Sequence, residues 1–371
     1  MLRLWIFVII FTLSYEAGAQ PATHTSGPPP GPSCSLVWQQ NITNAVGQPF
    51  GAVADGTSVF IVGQPGRIER RSNATGVLNW TVNSAAQLLE AVTDDPSAIY
   101  VGGLSASGAR LIEKRSKANG ATIWSRTTNP GQVWGLARSG NSLIAVGNDT
   151  NSGAWAFEKL SATTGATFWT VTFDPNPAGT NDTAISVAAD STYFYVAGSD
   201  WTPGVPRWVI QKRSIGNGSL VWSQTPAVGA GPAVPHGVGV DANSIYISGY
   251  ITVSGDRQWL IERRNKVAGT MVWQKFTNLP GDTAGASGLA IDGTSLFIAG
   301  YDNQLSPNNT QWRLEKRNTA NGALQCNGAL NSTPGPDQAN AIAVDATGVY
   351  LVGLNNGGPV PSLWVVTRWT K

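Results

Sequence analysis

The chain has 371 residues and a formal net charge of only +2, with 12% charged residues against 43 glycines and 15 tryptophans. That balance leaves no electrostatic footprint for nucleic acid, and it suits tight turns and wide, weakly charged sheet faces rather than helices. A repeat running through most of the length argues for one domain where length alone would permit two.

At the N-terminus Arg3 precedes an apolar run from Leu4 to Leu13, and Ala17-Gly18-Ala19 has the small-x-small form of a cleavage site. Residues 1–19 are therefore expected to be a secretory signal peptide. The apolar run is about half the roughly 20 residues a spanning helix needs, so no membrane span is predicted there or later. Residues 20–33, with Pro21, Pro28-Pro29-Pro30 and Pro32, read as an extended linker, and 34–371 as the folded domain. The protein is expected to be secreted and extracellular, or periplasmic or cell-surface in a bacterium. In a eukaryotic host the sequons at Asn41, Asn73, Asn148, Asn181, Asn217, Asn308 and Asn331 are expected to carry glycans, whereas Asn79, inside a strand pattern, is expected to stay bare.

From there one unit recurs: an apolar strand, an Asp-led turn, and a second apolar strand ending in Gly. A third strand often reads Trp-x-apolar-Glu-Lys/Arg-Arg, and a Gly turn leads to a fourth strand carrying Trp. The first copy runs from Val53-Ala54-Asp55 to Val62-Gly63, the second from Asp94 to Gly102, and the third has Arg138 in place of Asp and closes at Gly147. The others are led by Asp190, Asp241, Asp292 and Asp345 and close on Gly198, Gly249, Gly300 and Gly353. Spacings run from 39 residues (Asp55 to Asp94) to 53 (Asp292 to Asp345), in or just above the range of propeller blades.

The fourth strands carry Trp80, Trp124, Trp169, Trp222 and Trp273, with Cys326 in the sixth, and the chain ends at Lys371 before a seventh. Ser35-Leu36-Val37-Trp38 supplies it from the other end, since its Leu-Val-Trp matches Leu220-Val221-Trp222. The reading is an all-β, seven-bladed β-propeller of four-stranded antiparallel blades, its ring closed by an N-terminal strand that completes the last blade.

The two cysteines, Cys34 and Cys326, then fall at the rim of neighbouring blades. Exported proteins with two cysteines usually pair them, and by chain entropy such a bridge is worth roughly 4–5 kcal/mol. Two free cysteines remain the alternative, because the offset between blades could hold the Cα atoms too far apart.

Most recurring residues have a structural explanation. The turn Asp residues suit capping of local amides. The charge clusters such as Glu113-Lys114-Arg115, Glu262-Arg263-Arg264 and Glu315-Lys316-Arg317 suit ion pairs along or between blades. Trp155, Trp208, Trp259, Trp312 and Trp364 suit packing between sheets rather than sugar stacking.

Residues 75–80, 119–124, 164–169, 217–222 and 268–273 resemble the Thr-Gly-x-x-x-Trp docking repeat of the quinoprotein-alcohol-dehydrogenase-like superfamily, over about 35–371. The resemblance implies either a dehydrogenase using pyrroloquinoline quinone with calcium or a non-enzymatic scaffold. The adjacent cysteine pair of the enzymes is missing, and seven blades are counted where they have eight. The non-enzymatic branch is therefore favoured, with no cofactor predicted, calcium compatible with the loop carboxylates and the quinone disfavoured.

No catalytic residue is singled out. Of the two histidines, His24 lies in the linker, and His236, in the stretch 231–237, has no partner for a metal site or nucleophile. The first-to-second and third-to-fourth turns are short, whereas the long connections all emerge on the opposite face. Candidate ligand contacts there are Trp134, Asp200, Trp201, His236, Tyr250, Asp256, Tyr301 and Asp302, a set of aromatics and carboxylates suited to a polar ring such as a sugar. The expected function is a secreted binding or scaffold propeller for a protein or glycan. The alternatives are a quinoprotein-like oxidoreductase and a self-associating structural matrix component.

Overall fold

The computed structural model describes residues 33–175, 182–201, 205–226, 231–277, 283–306, 309–356 and 363–371. The expected signal peptide and all of the linker but Ser33 lie outside them. No helix is found among the described residues, and hence none long and apolar enough to cross a membrane.

Strand β1 (Leu36–Ile42) comes first and pairs last. The first complete sheet holds β2 (Pro49–Ala54), β3 (Ser58–Gly63), β4 (Arg67–Ser72) and β5 (Leu78–Asn83). A seven-stranded sheet follows, of β6 (Ala86–Asp94), β7 (Ala98–Ser105), β8 (Ala109–Ser116), β9 (Thr122–Ser139), β10 (Ser142–Asp149), β11 (Ala154–Ser161) and β12 (Thr167–Phe173). Three four-stranded sheets come next. They are β13 (Thr183–Ala189), β14 (Tyr193–Asp200), β15 (Arg207–Ser214) and β16 (Leu220–Gln224); β17 (Ala233–Val240), β18 (Ser244–Val253), β19 (Asp256–Asn265) and β20 (Met271–Thr277); and β21 (Gly285–Asp292), β22 (Ser295–Ser306), β23 (Asn309–Asn318) and β24 (Leu324–Leu330). The last sheet joins β25 (Gln338–Val344), β26 (Val349–Asn355) and β27 (Leu363–Trp369) to β1. All strand pairings are antiparallel; each joins sequence neighbours except that of β1 with β27, the closure expected of Leu36-Val37-Trp38.

Where seven four-stranded units were expected, the described residues form six sheets, one of them seven-stranded. The cause is β9. Its residues 122–130 pair with β8 and 131–139 with β10. No connection intervenes there, so what was read as the fourth strand of one unit runs directly into the first strand of the next. The inner strands β2, β6, β9, β13, β17, β21 and β25 neighbour one another in turn, and β25 returns to β2.

The second strands are continuous apolar runs, because both of their faces are covered. In β3, Ser58 to Gly63 are all buried. The fourth strands alternate exposed and half-buried residues, as outer edges do. The apolar core is accordingly distributed, with separate clusters between neighbouring sheets, such as Phe60, Val62, Ile68, Leu89, Ile99 and Val101 between the first two.

Two tryptophan devices join neighbouring sheets, although β4 and β8 lack the first and β24, with Cys326, lacks the second. The third-strand Trp155, Trp208, Trp259, Trp312 and Trp364 are fully buried. Each indole lies against a Gly in a second strand of the following sheet; Gly198, Gly249, Gly300 and Gly353 lie inside strands that were expected to close on them, and Trp364 closes the circuit on Gly63. The first four also donate Nε1–H to a carbonyl just beyond that Gly, as Trp155 does to Ser199 O at 3.1 Å. The fourth-strand Trp packs on the next Gly turn. A Cβ on Gly120, whose φ of +75° already disfavours other residues, would sit 2.9 Å from Trp80.

The third-strand charges are buried ion pairs along one strand rather than surface links. Arg71, Arg115, Arg264 and Arg317 each bind the Glu two residues earlier and donate Nη1–H to the Gly-turn carbonyl five residues on. Gln211 replaces the Glu beside Arg213. The cysteines are bonded, with Cα atoms of Cys34 and Cys326 5.3 Å apart, tying the segment before β1 to β24.

Candidate functional site

The face carrying the Asp turns is accounted for by the repeat. Asp55, Asp95, Asp190, Asp241 and Asp345 each accept from the amides two and three residues on. In the second copy the cap is thus Asp95, and Asp94 instead binds Lys117, which also reaches Asp55. Lys266 with Asp190 and Lys371 with Asp292 are similar cross-links between sheets. Among the described residues, these turn carboxylates are thus occupied by backbone amides and lysines, and a cavity of about 420 Å³ lies between two of the turns, lined by Asp190, Tyr193, Lys212 and Lys266.

The inner strands differ. Each carries a β-bulge opposite the Gly region of its second strand, and the extra residues are Phe50, Glu90, Trp134, Ile185, His236, Ser287 and Asn340. All seven are partly exposed. A bulge re-aims one side chain, and here one repeat position holds seven residue types, so the fold dictates the bulge and not its occupant. Glu90 accepts from Gln132 Nε2 at 3.1 Å. Burial outweighs that bond and pushes its carboxyl up to about 8. Burial, helped by the charge of Arg257, holds the His236 imidazole down to about 4, so it is neutral at pH 7.

His236 lies beside a second departure from the repeat. Its ring centroid is 5.9 Å from that of Tyr250, over which the Arg257 guanidinium sits at 4.5 Å. Tyr250 and Tyr301 share one repeat position, next after Gly249 and Gly300. Burial raises both phenol pKa values, with Arg257 pulling each the other way. Arg257 makes no ion pair among the described residues. It is aimed inward by the tight turn of Ser254 (φ 53°) and Gly255 (φ 94°), Ser254 being the one non-Gly residue with positive φ among the described residues. A non-Gly residue in that region stores strain.

Four of the eight expected contacts thus gather here: His236, Tyr250 and Tyr301 in the cluster, and exposed Asp256 in the turn that presents Arg257. His236, Tyr250, Tyr301 and Trp134 lie on strands β17, β18, β22 and β9 rather than on loops, because the strands extend further toward this face than their apolar pattern suggests. Trp134 is apart from the cluster in sequence and fold, its Nε1 without a partner among the described residues. Trp201, 39% exposed, and Asp200 stand at the end of β14, with Trp201 N bonded to Asp182. Asp302 corrects the surface-loop expectation: it is fully buried and accepts from Gln311 and Arg313.

Arg257 was not among the expected residues. Its signal is positional, since two residues before the third-strand Trp the other units have Gly153, Pro206, Thr310 and Ser362. Among the sequons, Asn41, Asn217 and Asn331 are exposed and Asn148 half-buried. Asn79 is exposed on β5, and Asn181 and Asn308 lie outside the described residues. Asn73 is a correction: it is 7% exposed and its Nδ2 donates to Gly56 O at 2.5 Å, leaving no room for a glycan.

No family model matches the chain, and no curated protein matches it. Solved structures do. BamB from Moraxella catarrhalis superposes with a TM-score of 0.52 at 16% identity, over 91% of this chain and 97% of that one. The structure of U3-55K gives 0.65 at 12% identity over 91% and 100%, and the RRP9 WD40 repeats 0.64 at 12% over 91% and 99%. At such identities the likeness establishes the β-propeller fold. It extends to WD40 structures as well as BamB, so it does not single out the quinoprotein-like repeat.

Proposed function

We propose that the chain is an exported seven-bladed propeller with the quinoprotein-like docking repeat, acting as a binding platform for a protein or glycan through the face of unequal connections. The seven-blade count is supported by the closed circuit of inner strands and by the split pairing of β9, whose halves serve two blades. Export is supported by the Cys34–Cys326 bridge, which reducing compartments disfavour. The observation that carries the binding role is the contrast between faces. One is tied up in repeated caps and ion pairs, and the other holds His236, Tyr250 and Arg257 in side-chain identities the repeat does not require.

The test is a thermal-shift panel of the purified chain with calcium, with pyrroloquinoline quinone plus calcium, and with soluble neutral and acidic glycans, alongside pull-down of extracellular proteins. A ligand at 100 times its dissociation constant stabilises by about 2.7 kcal/mol, which is readily seen. Glycan-dependent stabilisation, or capture of a partner that is lost when the β18–β19 turn is altered, supports the platform. A shift requiring the quinone overturns it in favour of an oxidoreductase.

A further inference from the structure

The cluster of His236, Tyr250, Arg257 and Tyr301 has one cation and no anion. Arg257 is half-buried, stacked on Tyr250 and free of any ion pair among the described residues. A guanidinium taken partly out of water without a carboxylate is costly unless a partner arrives. Four buried Arg residues of the third strands, Arg71, Arg115, Arg264 and Arg317, each have an adjacent Glu, whereas Arg213 bonds Gln211 in its place. No counter-charge for Arg257 is found among the described residues. The chain holds Arg257 in place through a strained two-residue turn and surrounds it with two phenols and an imidazole.

We propose that this cluster binds a uronic-acid residue of an acidic glycan, with the sugar carboxylate on the Arg257 guanidinium. The proposal rests on the platform reading and names its ligand. Arg is suited to the carboxylate because its planar fork binds both oxygens. With His236 neutral and both phenols protonated, the remaining groups are uncharged donors and acceptors, matched to ring hydroxyls rather than to further charge. An acidic peptide side chain carries its carboxylate on an apolar stem and would leave those three groups facing methylenes. A uronate carries the carboxylate on a ring bearing hydroxyls, and so satisfies all four. Neutral sugars lack the anion that Arg257 is missing.

The experiment is titration calorimetry of the intact chain with trigalacturonate, a neutral galactose trisaccharide and N-acetylglutamate, repeated on Arg257→Gln, Arg257→Lys, Tyr301→Phe and, as a control, Ser191→Ala, exposed in an Asp turn of the opposite face. The expected result is binding of trigalacturonate alone. Arg257→Gln should weaken it about tenfold or more, the size of a lost charge-assisted pair, with a melting temperature equal to the parent's or higher, since the unpaired charge is gone. Arg257→Lys should recover part of the loss, and Tyr301→Phe should weaken binding by a smaller factor. Equal affinity for the neutral trisaccharide, or trigalacturonate binding indifferent to Arg257→Gln, overturns the uronate assignment and leaves the platform standing. Tight binding of N-acetylglutamate overturns it in favour of an acidic peptide. Absence of binding by all three probes overturns it as well. The platform itself then fails only if the extracellular pull-down also returns nothing that depends on this face.

Discussion

Gly300→Ala tests how the sheets are joined. A Cβ at Gly300 would lie 2.0 Å from Gly285 O, 2.8 Å from Trp259 Cζ2 and 2.9 Å from Ala286 Cα, where ordinary contact begins at 3.4 Å. None of these is the free end of a flexible side chain. Two are backbone of the paired strand, and the third belongs to an indole that is fully buried. The methyl must therefore part Gly285 from Tyr301 or displace Trp259, whose Nε1–H is bonded to Tyr301 O at 3.1 Å. Overpacking of this kind costs about 1–3 kcal/mol, and losing one hydrogen bond adds about 1 kcal/mol. The smaller entropy of the unfolded Ala chain returns about 0.4–1 kcal/mol. A net loss of about 1–3 kcal/mol is expected. Gly288→Ala, in the paired strand of the same sheet, is the control, because its Cβ meets nothing closer than Ile342 Cγ2 at 3.4 Å. It should change stability by less than about 0.5 kcal/mol or raise it slightly. Guanidinium chloride unfolding measures both, with an unchanged m-value required for comparison. Equal effects of the two substitutions would refute the claim that second-strand glycines are sockets for the preceding sheet.

Removing the bridge with Cys34→Ser and Cys326→Ser should cost about 2–5 kcal/mol, because it closes a separation of 292 residues; a midpoint equal to the parent's would show that β1 alone secures the closure. Glu315→Gln should cost about 3–5 kcal/mol in denaturant unfolding, since it leaves Arg317 without a carboxylate and Arg313 with Asp302 alone; a loss under about 1 kcal/mol would mean that water reaches the pair. Glu90 titrates near 8 when folded against 4.5 when not, so the unfolded chain loses its proton first and stability falls as pH rises from about 4.5 to 8. Glu90→Gln should accordingly stabilise at pH 8, by about 1–3 kcal/mol, and leave pH 4.5 nearly unchanged. A gain of equal size at both pH values would refute the assignment. His236, held near 4 against 6.5, acts oppositely, removing stability as pH falls through that window.

What the repeat dictates is legible in the sequence. The Asp turns, the docking tryptophans, the N-terminal strand on β27 and the cysteine pair follow from local patterns compared with one another along the chain, whereas all second strands but β3 run on past the Gly residues expected to end them. A repeated residue is explained by repeated backbone geometry, and that geometry is short-range. What sequence could not decide is set by neighbouring sheets. Asn73 reads as an open sequon, but it is buried by Gly56 and by Thr347, 274 residues away. Asp302 reads as a loop carboxylate, but Gln311 and Arg313 of the next strand enclose it. The run of β9 through two pairings depended on the lack of room for a connection at Pro130-Gly131. His236, Tyr250, Arg257 and Tyr301 come from four strands of two adjacent sheets, and only the bulge at His236 and the turn at Ser254 bring them together. Their meeting depends on how one sheet packs against the next, and no local pattern in the chain encodes that distance.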